Sequence, residues 1–448
     1  MSIEFLLRTF RQNADQDAVV WQDKTHSYNW LLDRVDYWRG TLRENEISSG
    51  TVVILEADFS PNAIALFLAL IESASIVVPM TLAVGTKRDE FVNIAEGEVC
   101  ITLNEYDHAN ITRLGRVASH EMFERLRFLH HPGLVLFSSG STGESKAALH
   151  DMLFLLEKFK LPRHRLRTIS FLLYDHIGGI NTMLYTLSNG GCLVTVQDRS
   201  PDSVLQAINT HRVQLLPTSP TFINLILISE AYKRYNLDSL ETITYGTEPM
   251  PESTLRRFHQ LFPGIRMVQT YGLSEIGILR SKSKSADSLW VKVGGEGFET
   301  RVVDGVLHVK ANSAMLGYLN APSPFTEDGW MNTGDRVEVE GDYVRFLGRQ
   351  SEIINVGGEK VYPAEIESLI YEFDNVAEVT VFGEKNPITG SIVCAKVNLT
   401  HDEDHKLFVK RLLEFCRQRL QNYKVPVKVI IAAEQQHSPR FKKVRRRE

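Results

Sequence analysis

Short apolar, β-branched runs that alternate with helix-patterned stretches constrain this chain more than any other feature. VVILEA (52–57), SIVVPM (75–80), LVLFSS (134–139) and CLVTV (192–196) are strand-length, and 62–72 between the first two has a helical pattern. Alternation of this kind predicts mostly parallel sheets covered by helices, in one large α/β body. From about Gly294 the texture changes. TRVVDGVLHVKA and DRVEVEGDYVRFLG each set a turn signal between two strand-like runs, as antiparallel hairpins require. After Arg349 a third texture begins. Pro363 opens a helix whose Ile366, Leu369, Ile370 and Phe373 recur at i, i+3, i+4, i+7. Strands at about 376–382 and 391–399, a helix at about 405–420 and a strand at 425–432 complete a compact α+β unit. The expected domains are therefore 1–350 and 351–448, joined by a tight hinge rather than a long tether.

A chain of 448 residues exceeds one ordinary core, which fits this division. Its 43% hydrophobic and 23% charged residues suit a soluble globular protein, and a net charge of -5 argues against a nucleic-acid binder. Cys100, Cys192, Cys394 and Cys416 lie far apart with no CxxC pair, which fits a reducing compartment, by default the cytoplasm, and gives no zinc framework. The start, MSIEFLLRTFRQNADQD, reads as an amphipathic helix rather than a signal peptide, because Glu4 and Arg8 interrupt its apolar positions. Between Ala63 and Met80, Glu72, Ser73 and Pro79 favour a helix followed by a buried strand, so no transmembrane segment is expected.

One polar segment stands out after an apolar run. In FSSGSTGESK (137–146), Gly140 and Gly143 let backbone approach a ligand closely, Ser138, Ser139, Ser141 and Thr142 supply hydroxyls, and Lys146 adds charge. It is not a Walker loop, because Ser145 stands where the glycine before the lysine belongs and Ala147 follows it. By itself it fits either a phosphate cradle or an exposed polar turn.

Its company decides between them. TYGLSEIG (270–277), WMNTGDRVEVEGDYVRFLGRQSEIINVGGEKVYPAEIE (330–367) and RFKKVRRRE (440–448) follow in that order. Together the four segments resemble the adenylate-forming superfamily of acyl-CoA synthetases, peptide-synthetase adenylation domains and luciferases. The resemblance implies an α/β fold: a large N-terminal domain of mixed, mostly parallel sheets with helices plus a small distorted barrel, and a small mobile C-terminal α+β domain. It implies activation of a small carboxylic acid by ATP as an acyl-adenylate, with release of pyrophosphate, and then transfer to a thiol. The implied cofactors are ATP, Mg²⁺ and coenzyme A, or the phosphopantetheine of an acyl carrier protein in its place.

The same resemblance assigns roles to residues. Ser138, Ser139, Gly140, Ser141, Thr142, Gly143 and Lys146 would wrap the β- and γ-phosphates, and Gly246, Thr247 and Glu248 in TYGTEPMP would line the adenine pocket. In TYGLSEIG, Thr270 and Gly272 belong to the nucleotide site, Tyr271 would stack on adenine, Ser274 would lie near the α-phosphate, and Glu275 with Ser138 would bind the metal. Magnesium shares hard oxygen ligands with phosphate, so one carboxylate beside a hydroxyl suffices. Asp335 would accept the ribose hydroxyls and Arg349 would contact ribose and phosphate. Ser351 falls at the hinge about which the small domain is expected to rotate, and Gly357 and Gly358 would then admit a pantetheine arm. Lys442 would bridge the substrate carboxylate and the α-phosphate. Here Arg440-Phe441-Lys442 replaces the common Thr-Gly-Lys, so the glycine is absent and Lys443 is the fallback.

The acid is read from FLLYDHIGGINTML (171–184), which looks like the His-containing version of fatty- and aryl-acid ligases, with His176 at the pocket wall. Asp175 is adjacent, and a one-residue shift would present it to an amino group instead. The expectation is a non-amino acyl or aryl acid and an acid–thiol ligase. A standalone enzyme loading a carrier protein is the close rival, and a silent nucleotide-binding scaffold or an ATP-phosphotransferase are the readings from other classes.

Overall fold

The computed structural model describes residues 2–139, 145–438 and 440–444. Its first seven-stranded sheet runs Arg266–Gln269, Thr242–Tyr245, Leu215–Thr218, Arg167–Ser170, Cys192–Thr195, Asp17–Trp21, Lys24–Ser27, with every pair parallel except the last. A second seven-stranded sheet carries Val52–Glu56, Ile76–Met80, Val99–Leu103 and Gly133–Ser139 as its parallel core. Its edges are antiparallel: Ala109–Arg113 at one side, and Ser145–Asp151 followed by Gly317–Tyr318 at the other.

Helix Pro61–Glu72 lies between these layers and is buried on nearly every face. That explains its continuous run of Ala, Ile, Leu and Phe, because a helix covered all round needs no polar stripe. Ser60 caps it from its hydroxyl and Pro61 fits its first turn, where no amide hydrogen is needed.

The hairpins foreseen after Gly294 pair as Phe298–Val303 with Val306–Ala311 and Met331–Glu340 with Tyr343–Arg349. They belong to a six-stranded antiparallel sheet, and a bridge from Gly295 to Phe298 marks the tight turn into its last strand. Beyond a short turn at Gln350–Glu352, the strands Ile354–Val356, Glu359–Val361, Val376–Asn386, Gly390–Leu399 and Lys428–Ile431 form a sheet of their own. Helices Pro363–Ile370 and His405–Arg417 pack on it around a separate apolar core. This unit rests on the large body through polar contacts: Ser253 Oγ donates to the Ser368 carbonyl at 2.8 Å and Asn224 Nδ2 to the Ala377 carbonyl at 3.0 Å. Among the described residues no helix is long and apolar enough to cross a membrane.

Candidate active site

Two neighbouring strands create one end of the candidate site. Register in the Met331–Glu340/Tyr343–Arg349 hairpin sets Asp335 directly opposite Arg349, and Arg349 Nε meets Asp335 Oδ1 at 2.9 Å. The other carboxylate oxygen accepts from Tyr271 Oη at 2.7 Å. Burial raises the Asp335 carboxyl above its ordinary range, against the pull of Arg349. Tyr271 stacks on Phe346 with ring centroids 4.6 Å apart and 19° between planes. The tyrosine is thereby held flat on one face. Gly246 sits against Thr270, and a β-carbon there would lie 2.6 Å from the Thr270 carbonyl oxygen, so the chain needs glycine at that position.

Glu275 is fixed by Tyr318, whose hydroxyl donates to Oε1 at 2.5 Å. Burial, then the Glu275 charge, pushes the Tyr318 phenol up. His150 holds the same segment from the neighbouring strand, with Nε2 2.6 Å from the Ser274 carbonyl. Lys146 places its ammonium 5.2 Å from the Tyr318 ring centroid, and Ser138 pairs directly across from Lys146 at the mouth of the hairpin. Gly140, Ser141, Thr142 and Gly143 lie outside the described residues, and of Ser139 only the strand position opposite Ser145 is described. Among the described residues no three His, Cys, Asp or Glu side chains converge as a metal cage. One positioned carboxylate near Lys146 is the donor set that suits a magnesium ion carried largely by phosphate oxygens.

The C-terminal tail enters from the small unit. Lys442 is half-buried within electrostatic reach of Glu248, Glu275 and Arg349, and loss of hydration, then the Arg440 charge, lowers its ammonium to about 8. Lys443 is committed elsewhere: its Nζ meets Glu367 Oε2 at 2.9 Å, with that carboxylate only 1% exposed. Of the two lysines, Lys442 is the one whose charge is felt together with those of Glu248, Glu275 and Arg349. Beside it, His176 caps helix Ile177–Ser188, its Nδ1 accepting the Gly178 amide hydrogen at 3.0 Å. That bond leaves Nε2–H as the ring's donor. Burial, then Lys442 and Arg440, drives the imidazole well below its ordinary value, so it is neutral. His176, Thr247, Phe171, Leu172, Leu173 and Lys442 enclose a space of only about 10 Å³. A far larger cleft of about 700 Å³ opens between helix Glu252–Leu261 and residues 371–376, but it carries none of the motif residues.

The other residues singled out from the sequence have these surroundings. Glu248 accepts from the Thr221 amide at 2.8 Å and from the Lys443 amide at 3.2 Å, so its carboxylate ties the tail to the large body. Thr247 lines the cavity beside His176. Asp175 receives Thr81 Oγ1 and Arg440 Nη2, both at 3.0 Å, while its Oδ1 is buried with no partner among the described residues. Gly357 and Gly358 form an exposed turn between Ile354–Val356 and Glu359–Val361, with open space around both. Tyr318 and His150 were not singled out from the sequence, and Phe441 was noted only as standing where the glycine is absent. Each acts through a partner more than 40 positions away, and no local pattern marks them.

Comparison with known proteins matches this geometry to a family. The AMP-binding enzyme pattern covers residues 6–319, and the AMP-binding enzyme C-terminal domain pattern covers 365–442. The chain belongs to the AMP-binding enzyme family. Its superfamily is that of the adenylate-forming enzymes. This AMP-binding enzyme is 26% identical to a feruloyl-CoA synthase of an Amycolatopsis species, over 94% of this chain and 93% of that protein. It is 29% identical to the indoleacetate–CoA ligase of Aromatoleum aromaticum, a match that spans 68% of this chain and 64% of that ligase. Its fold superposes on the anthranilate CoA ligase AuaEII in complex with anthranoyl-AMP with a TM-score of 0.83 at 18% identity, covering 99% and 95% of the two chains.

Proposed function

We propose that this enzyme activates an aryl or other non-amino carboxylic acid with ATP and passes the acyl group to the thiol of coenzyme A. The observation that carries this reading is the place of Lys442. A half-buried residue from the far end of the chain is brought beside His176 and within electrostatic reach of Glu275 and Arg349. In the first step a carboxylate oxygen attacks the α-phosphorus, the α–β anhydride breaks, and pyrophosphate leaves. The Lys442 ammonium offsets the negative charge that accumulates between acid and phosphate. Asp335 accepts the ribose hydroxyls, Tyr271 offers its free face to the adenine, and Ser138 and Lys146 hold the phosphate tail. Magnesium bound with ATP at Glu275 and Ser138 would supply additional charge neutralisation. His176 keeps a neutral N–H beside Lys442 and can orient the acid without adding charge once the roughly 10 Å³ space between them widens to admit it. In the second step the thiol sulfur, having lost its proton, attacks the acyl carbon and AMP departs.

The preference for a non-amino acid rests on Asp175, whose charge Arg440 already balances. The relatives' aryl substrates agree with it. A second reading has one observation in its favour: the buried, unpartnered Oδ1 of Asp175 can accept from an amino group on the acid. Loading of a carrier protein remains the rival for the second step. Pyrophosphate exchange into ATP across aryl, fatty, short-chain and amino acids, with coenzyme A absent, tests the first step. Exchange with aryl acids supports the main reading, and exchange confined to amino acids replaces it with the second. Saturable thioester formation with free coenzyme A then separates it from carrier loading.

A further inference from the structure

The tail departs from the family's Thr-Gly-Lys in a way that the fold turns to use. Phe441 occupies the glycine position and adopts φ +51°, the left-handed region that an L side chain avoids. A phenylalanine persists there only if its surroundings hold it. Its ring lies in an aromatic cup, with centroids 5.1 Å from Phe171 and 5.3 Å from Phe222, and His437 stacks on it at 5.3 Å and 17°. Its carbonyl accepts Ser219 Oγ at 2.8 Å.

The residues on either side are tied as firmly. Arg440 pairs with Asp175, which is only 4% exposed and braced by Thr81. Lys443 binds Glu367 of the small unit through Nζ and Glu248 of the large body through its amide. Lys442 is therefore the centre of a strap pinned to both parts of the molecule. A glycine tail has no side chain with which to make the cup contact, and the chemistry proposed for this site gives Phe441 no contact with ATP or acid.

We propose that Arg440, Asp175 and Phe441 are positioning residues for Lys442 that serve adenylation alone and hold back the thiol step. This rests on the two-step reading above. Lys442 is needed while the α-phosphate is attacked, and the strap fixes it there. Rotation of the small unit for thiol attack has to draw Phe441 out of its cup and part a largely buried ion pair, so the same contacts that favour the first step oppose the second. A purely structural role would lower both steps together.

The test uses the full chain and three variants, Asp175→Asn, Arg440→Gln and Phe441→Gly. Pyrophosphate exchange reads adenylation, and single-turnover transfer from supplied acyl-adenylate to coenzyme A reads the second step. Adenylation kcat is expected to fall by about tenfold or more in each variant with KM for ATP and acid little changed, while transfer stays equal or becomes faster. The Asp175→Asn/Arg440→Gln double variant should be no worse than either single one, because both remove the same contact. Parallel loss of both steps, a change in KM alone, or no change in any variant overturns the proposal. If Asp175→Asn fails to fold, Arg440→Gln carries the test, because that side chain is partly exposed. A wild-type enzyme without exchange for any acid would overturn the two-step reading itself, whereas a wild type that exchanges beside variants that show no split would overturn only the strap.

Discussion

Lys442 and Lys443 are adjacent in sequence and opposite in circumstance. Among the described residues Lys442 has no carboxylate in direct contact, and its lost hydration lowers its affinity for its proton, to about 8 from an ordinary 10.5. Lys443 is neutralised by Glu367 in a pair whose members are 8% and 1% exposed. Lys442→Ala is expected to lower adenylation by about 10²–10³, the scale of losing one preorganised charge contact, while ATP binding measured by calorimetry stays intact. Lys443→Ala should instead cost about 3 kcal/mol of stability, since it strands a buried carboxylate, with a smaller loss of adenylation, and thermal melts separate the two. A lysine whose folded value is depressed is charged below that value and loses its proton as pH rises through it. Adenylation kcat/KM of the free enzyme should therefore fall above about pH 8. In Lys442→Arg, whose guanidinium stays protonated, that alkaline fall should disappear from the profile of whatever activity remains.

At the scale of elements, the hairpin Met331–Glu340/Tyr343–Arg349 explains why Asp335 and Arg349 are 14 positions apart: strand pairing makes them neighbours. Asp335→Ala should weaken ATP binding by about tenfold or more, because it removes the proposed ribose acceptor and the carboxylate that Arg349 and Tyr271 both bind. Gly246→Ala should lower the melting temperature and ATP affinity together, since its new methyl group meets backbone that cannot swing aside. These element-level relations were legible in the sequence. Strand-length apolar runs, turn signals and a 3.6-residue period are local, so the hairpins and the helix after Pro363 emerged near their expected places. The strand expected at 376–382 extends to Asn386 because a long antiparallel partner, Gly390–Leu399, keeps pairing it through polar residues that carry no strand signal. The tail was not legible, for the opposite reason. Arg440 finds Asp175 at a separation of 265 residues, and a charge run read locally looks like a solvated end.

Across the whole molecule, the site is assembled from four sources: the central body supplies His176 and Glu275, the antiparallel sheet Asp335 and Arg349, the edge strand Tyr318, and the small unit Lys442. The small unit has its own core and, among the described residues, meets the large body through polar contacts and the tail. Deleting residues 437–448 should therefore leave ATP binding largely in place and abolish adenylation, a loss that added coenzyme A does not repair. The most direct measurement is acid-dependent pyrophosphate exchange by the wild-type chain and Lys442→Ala side by side, with coenzyme A absent. Exchange that depends on an aryl acid in the wild type and is nearly lost in the variant, with ATP binding equal in both, is the predicted result. Equal exchange in the two proteins, or ADP in place of AMP as the product, would contradict it.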